Sequence, residues 1–370
     1  MKKILFLIHD LGRGGAEKVL VNLVNNINPN RFDVTVMSLF GGGVNEQFLN
    51  KEIKYIVCHK HMIRGNSNIM KLFSPQALFN HYIKGKYDVI VSYLEGPSAR
   101  IVSGCTDKET KLVNWIHCKL DTPEELAGSF RSFQEAKDCY NRFDKSIFVS
   151  EWVRDYFVKT LNYANPVEVL YNTIETDEIL KASHEVVTEK CFDTQSIKIC
   201  SVGKIAEVKG YDRLARIHNR LFCEGYQLEF YIFGVGSDQN KIEEYLKQNN
   251  IIDSFHFMGY KENPHKYVSN CDMYVCSSLS EGFSTAVTEA LVLGVPVVTT
   301  LCSGMYELLG KHNEYGIVTE NNEEALYEGV KKLLDNPDLL VHYKKQAEIR
   351  GKEFSKEKTV KAVEDMLLSL

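Results

Sequence analysis

Two glutamates eight residues apart, Glu281 and Glu289 in EGFSTAVTE, have the types and spacing to grip a ligand across a turn. The apolar run MYVCSS precedes them, and ALVLGVPVVTT follows, with Gly294 and Pro296 marking the end of a helix. A strand-to-helix turn here puts Glu281 in the loop and Glu289 about a turn and a half into the helix. The amides of Phe283, Ser284 and Thr285 then point outward at the positive end of the helix dipole, an arrangement that holds a phosphate without a metal. The chemistry implied is a nucleotide diphosphate joined to a group rich in hydroxyls. A capped amphipathic helix with two solvated glutamates has the same spacing, so neighbouring motifs must decide.

Those motifs are loops that leave strands. VGKIAEVKGYDRL follows IKICSV and sets Gly203, Lys204 and Lys209 in a strand-to-helix loop, where two ammonium groups can neutralise a departing diphosphate; two solvated lysines are the plainer alternative. YIFGVGSD ends another strand with Gly234 and Gly236, and FHFMGYKEN ends a third near Gly259. In the first half, KLVNWIHCK places His117 directly after a strand, facing a cleft, although a lone histidine is often only packed. GRGGAEK, with Gly14 and Gly15, lets backbone approach a ligand and opens a helix at Ala16. It lacks both the dinucleotide G-x-G-x-x-G spacing and the P-loop ending, which argues against NAD binding and ATP hydrolysis.

The elements that must position these residues alternate between short β-rich runs and helix-length segments. KILFLI, DVTVMSL, YDVIVSY, KLVNWI and KSIFVS form one series, and IKICSV, LEFYIFG, SFHFMG, MYVCSS and VPVVTT a second. The pattern predicts an α/β protein of two doubly wound, Rossmann-like domains facing each other across a cleft, with ligand at the carboxyl ends of the strands. The expected division is 1–172, 173–354, and a final helix over 355–370 that packs back on the first domain. A chain of 370 residues is long enough for two cores.

Composition narrows the classes. A formal charge of −5 disfavours nucleic acid as a partner. Ten cysteines without a C-x-x-C pair suggest neither a zinc ribbon nor a disulfide scaffold, and fit a reducing cytosol. The apolar run before His9 is short for a signal peptide, and no run approaches the roughly 18 residues of a membrane span. From Ile53 to Tyr87 there is no acidic residue, while Lys60, Arg64 and Lys71 alternate with Met62, Ile63, Ile69, Met70, Leu72 and Phe73. That mixture suits a surface resting on anionic lipid headgroups, or else a solvated loop and helix.

Together GRGGAEK, WIH, VGKIAEVKG, FGVGSD, MGY and EGFSTAVTEALVLGVPVV resemble family 4 glycosyltransferases of the GT-B fold, over nearly the whole chain. The resemblance implies a retaining, metal-independent transferase. It would move a hexose or N-acetylhexosamine from a nucleotide-diphosphate sugar, UDP by base rate, to a polyprenyl-diphosphate-linked or other saccharide acceptor. No cofactor is implied, because the nucleotide sugar is a substrate. The family's roles would put Glu281 beside the donor sugar hydroxyls and Glu289 on the ribose hydroxyls. Lys204 and Lys209 would take the diphosphate, and Gly14, Gly15 and His117 the phosphate and acceptor side. Backbone from Gly259 through Tyr260 to Lys261 would hold the base. Lys204 departs from the family's Arg, keeping the charge without the bidentate fork. The implied setting is bacterial surface polysaccharide assembly at the cytoplasmic face of the cell membrane. No D-x-D triplet occurs, which argues against the metal-dependent GT-A alternative. Two other readings of such a scaffold are a nucleotide-sugar epimerase and a non-catalytic sugar-nucleotide-binding subunit.

Overall fold

The computed structural model describes residues 1–370 except Arg13, Ile63, Arg64 and Asp121. Two compact units form, Met1–Ile174 with Lys356–Leu370, and Glu175–Ser355. No helix among the described residues is long and apolar enough to cross a membrane.

In the first unit β1 (Lys2–Ile8), β2 (Phe32–Phe40), β3 (Lys54–His59), β4 (Val89–Tyr93), β5 (Lys111–Ile116), β6 (Lys145–Phe148) and β7 (Val167–Val169) make one sheet. The order is β3-β2-β1-β4-β5-β6-β7, and every pair is parallel. Ile4 to Ile8 are all fully buried, as a strand covered on both faces requires. The helix Gly15–Asn26 leads from β1 towards β2 and buries Val19, Leu20, Leu23 and Val24. The C-terminal helix Lys356–Ser369 belongs to this unit and buries Val360, Val363, Met366 and Leu367, each contributing about 1.5–3 kcal/mol. Lys2 Nζ donates to the Leu367 carbonyl at 2.8 Å, and Glu364 accepts from the Asn28 N–H at 2.7 Å.

The second unit repeats the plan with β8 (Ile197–Val202), β9 (Leu228–Phe233), β10 (Phe255–Gly259), β11 (Met273–Cys276), β12 (Val297–Thr300) and β13 (Ile317–Thr319). Its parallel order is β10-β9-β8-β11-β12-β13. The polar stretch from 175 to 196, just past the expected domain boundary, is folded. It holds the helix Thr176–Ser183 and a 3-10 turn, Lys190–Phe192, and the Phe192 ring lies 4.0 Å from that of Tyr231.

Each sheet has one switch point, where β1 meets β4 and β8 meets β11. Loops leaving such a pair run to opposite faces and leave room for a ligand at the carboxyl edge. Gly14 and Gly15 follow β1, Lys209 follows β8, and Glu281 follows β11.

Candidate active site

In the second unit the two switch-point loops are tied together. Ser277 Oγ donates to the Lys209 carbonyl at 2.8 Å, and the Leu279 N–H donates to the Val208 carbonyl at 2.8 Å. Gly210 has φ 64°, and a Cβ there would overlap the Ser277 carbonyl oxygen, so only glycine allows this approach. The result is one short ion pair: Lys209 Nζ lies 2.6 Å from Glu281 Oε1, which also accepts from Ser278 Oγ at 2.6 Å. The side chains are 27% and 11% exposed, so both are sheltered while Lys209 stays reachable. Lys204 is exposed on the same loop.

The helix after Glu281 runs Thr285–Val292, and Ser284 Oγ caps it by accepting from the Val287 N–H at 3.3 Å. Phe283 and Ser284 are buried. Gly294, at φ 69°, follows the last turn as the sequence predicts. Glu289 lies on this helix and accepts from His265 Nε2 at 3.1 Å, with both side chains mostly buried.

Three glycine-bearing strand ends stand side by side at the same edge. The Gly203 N–H donates to the Phe233 carbonyl, and the Gly234 N–H to the Gly259 carbonyl, both at 2.9 Å. Gly234 has φ 147°, and a Cβ on it would overlap the Gly203 carbonyl oxygen. Tyr260 is 71% exposed. Lys261 Nζ is held by Glu189 Oε1 at 2.8 Å, and Tyr267 donates to the same oxygen. These two donors, Lys261 foremost, pull the Glu189 carboxyl down to about 2.

In the first unit His117 follows β5, but its ring is buried, packed 4.7 Å from Tyr93 and stacked on Trp115. Burial lowers its pKa to about 3, so the imidazole is neutral at physiological pH. Its Nε2 has no partner among the described residues, while its backbone N–H donates to Glu95 Oε2 at 3.0 Å. Glu95 is bracketed by Leu94 at φ 150° and Gly96 at φ 84°, a strained turn that aims this carboxylate. Gly14 caps the helix Gly15–Asn26, and the Glu17 carboxylate folds against it where a Cβ would sit. Burial first, then the Asp10 and Glu95 charges, raise the Glu17 pKa against a backbone hydrogen bond that lowers it. The anion-attracting end of that helix is thus faced by its own carboxylate, which suits hydroxyl groups better than phosphate.

The basic stretch is ordered by Arg100, whose Nη1 and Nη2 donate to the Met70 and Phe73 carbonyls at 2.8 Å while Glu135 pairs with it at 2.9 Å. Lys60 is exposed, and Arg131 donates to the Lys71 carbonyl. Met62, Ile69, Leu72 and Phe73 all face solvent, whereas Met70 is buried. Arg64, expected to act with Lys60 and Lys71, lies outside the described residues, as does Ile63. Among the described residues no group of three or more His, Cys, Asp or Glu is placed to hold a metal.

Two family models match in succession, "Glycosyltransferase Family 4" over residues 13–178 and "Glycosyl transferases group 1" over residues 186–350. The chain belongs to the group 1 glycosyltransferases of GT-B fold. It is 26% identical over 370 residues, 97% of both chains, to a Campylobacter jejuni protein. That protein is named N-acetylgalactosamine-N,N'-diacetylbacillosaminyl-diphospho-undecaprenol 4-alpha-N-acetylgalactosaminyltransferase. The capsular polysaccharide biosynthesis glycosyltransferase CapM of Staphylococcus aureus is 27% identical over 144 residues, 37% of each chain. Anabaena HepE, solved in complex with UDP and glucose, superposes over 100% of both chains with a TM-score of 0.78 and 18% identity.

Around the expected positions this glycosyltransferase carries four polar residues that the sequence reading did not single out: Ser278, His265, Glu95 and Glu17. Three had a legible signal. Ser278 and Glu95 lie just past the ends of β11 and β4, where a polar side chain faces the ligand edge, and Glu17 lies within GGAEK. His265 had none, since it touches Glu289 only through a turn 24 residues away.

Proposed function

We propose that this glycosyltransferase moves a hexose or N-acetylhexosamine from a UDP-linked donor to a lipid-linked saccharide, without a metal and with retention at the anomeric carbon. The observation that carries the reading is the Lys209–Glu281 pair at the β8/β11 switch point, beside the start of the helix Thr285–Val292. When the bond from the anomeric carbon to the diphosphate breaks, negative charge grows on the leaving oxygens. Lys209, Lys204 and the amides around Ser284 supply the compensating positive charge that a divalent ion supplies elsewhere. Glu281 exchanges its lysine for the donor sugar hydroxyls and fixes the sugar's orientation. Glu289 takes the ribose hydroxyls, and backbone from Gly259 to Lys261 takes the base.

The acceptor hydroxyl oxygen bonds to the anomeric carbon on the face the diphosphate leaves, and its proton passes to a diphosphate oxygen. Same-face attack preserves the configuration and needs no carboxylate nucleophile. Within the first unit, His117 is neutral and would serve as a hydrogen-bonding group toward the acceptor, not as a base. Support for a lipid-linked acceptor in polysaccharide assembly comes from the name of the C. jejuni relative and from CapM, and for uridine diphosphate from HepE. Lys60, Lys71 and the exposed Met62, Ile69, Leu72 and Phe73 would set the enzyme on the cytoplasmic membrane face, where such an acceptor resides.

The test is a panel of nucleotide sugars with and without undecaprenyl-diphosphate-linked saccharides, following diphosphate release. Release that requires both a UDP-sugar and an acceptor is the expected result. Release without any acceptor would point to the epimerase reading instead.

A further inference from the structure

Glu289 belongs to a chain of contacts that reaches well outside the glutamate motif. Asn263 Nδ2 donates to the Ala182 carbonyl at 2.9 Å, and Asn263 Oδ1 accepts from the His265 N–H at 3.1 Å. His265 Nε2 then donates to Glu289 Oε2 at 3.1 Å, with the two side chains 11% and 16% exposed. A carboxylate accepts only, so the proton on this bond belongs to the imidazole. The histidine is therefore fixed at its backbone by Asn263 and spends its ring on one carboxylate oxygen. A glutamate on a helix face has several rotamers, and this contact favours one of them.

We propose that His265 is a positioning residue that holds Glu289 in the orientation from which a carboxylate accepts from both hydroxyls of a ribose, and so sets the enzyme's preference for ribonucleotide over 2′-deoxyribonucleotide donors. The proposal rests on Glu289 as the ribose ligand, as argued above. A vicinal diol meets a carboxylate well in only one relative orientation. Loosening the carboxylate weakens the contact that a deoxyribose lacks and leaves the rest of donor binding in place. The effect falls on discrimination and donor affinity, while the chemical step at saturating donor is spared.

The experiment titrates the full chain calorimetrically with whichever of UDP, GDP and ADP binds tightest and with its 2′-deoxy counterpart. The variants are H265A, H265Q and E289A. Wild type should favour the ribonucleotide about tenfold or more, the worth of one hydrogen bond to a charged group. H265A should bring that ratio most of the way to unity with kcat within about twofold of wild type. H265Q, whose amide can donate to the same carboxylate, should restore the ratio. H265F, bulky and without a donor, replaces H265A if the alanine variant loses its folded circular dichroism signal. A ratio unchanged in H265A or H265F, with E289A abolishing it, overturns the role of His265 alone. A ratio unchanged in E289A overturns the ribose reading itself.

Discussion

Lys209 and Glu281 come from loops 72 residues apart in sequence and meet with Nζ 2.6 Å from Oε1. The loops are held in register by Ser277 on the Lys209 carbonyl and by Leu279 on Val208. On the proposed function, the cation that would take a diphosphate and the carboxylate that would take a sugar are each other's partner before the donor arrives. Both charges are thereby kept in place without being stranded, since an unpaired sheltered charge costs more than a paired one.

Removing either partner should damage the chemical step more than the fold. Lys209→Ala is expected to lower kcat/KM about 10²–10³-fold, the cost of one stabilising donor at a developing charge, with Lys209→Arg recovering part of it. Glu281→Gln, which keeps the shape and loses the charge, should fall in the same range. Steady-state kinetics with a thermal melt alongside separates the two effects, since the melting temperature should move little.

Ser278→Ala should cost far less, about tenfold or under, because Lys209 still holds Glu281. The double variant Ser278→Ala with Lys209→Ala should show a penalty different from the sum of the singles, since both bond the same oxygen. Strict additivity in a double-mutant cycle would mean that the shared oxygen has no role.

Two buried histidines make stability fall on the acid side. Burial lowers His117 to about 3 and His218 to about 4 from the usual 6.5. Both take a proton in the unfolded chain as the pH drops through 6.5 and resist it in the native state. Their contribution is complete above pH 6.5 and drains by about 1.4 kcal/mol per pH unit for each histidine as the pH falls toward 4. Thermal melts at pH 7 and pH 5 should therefore differ, and the difference should shrink in His218→Phe.

Gly234→Ala should destabilise the loops at the carboxyl edge of the second sheet by about 1–3 kcal/mol, because its backbone angle is strained for an L residue and its Cβ would strike the Gly203 carbonyl. Gly203→Ala is the milder control, since its Cβ meets the tip of the Tyr211 side chain. Melting temperature and UDP affinity should fall together in the first and less in the second.

Leu72 and Phe73 are 76% and 53% exposed on a segment braced by Arg100. Replacing both by Glu should abolish co-sedimentation with vesicles containing anionic lipid and leave UDP binding unchanged. Unaltered sedimentation would assign membrane attachment elsewhere.

The sequence made the central strands legible because they are continuous apolar runs, as in Ile4–Ile8, and the turn residues told where they end. Three strands escaped it: β3, β7 and β13, each at the edge of its sheet. Edge strands are half exposed and carry charge, as Lys54 and Glu168 do, so their pattern blurs. Around the candidate site, loop residues next to strand ends were readable. Side-chain partners were not: nothing near Glu281 announces Lys209 as its counterion, and nothing near Glu289 announces His265. The burial of His117 was hidden for the same reason, since Tyr93 and Trp115 enclose it from neighbouring strand positions.

The most direct test is the anomeric configuration of the product formed in the presence of a strong chelator, read by proton NMR early in the reaction. An axial UDP-sugar giving an axial glycoside at an undiminished rate is the predicted result. An inverted product, or a rate that vanishes with chelator and returns with a divalent cation, would contradict a diphosphate held by lysines and backbone amides alone.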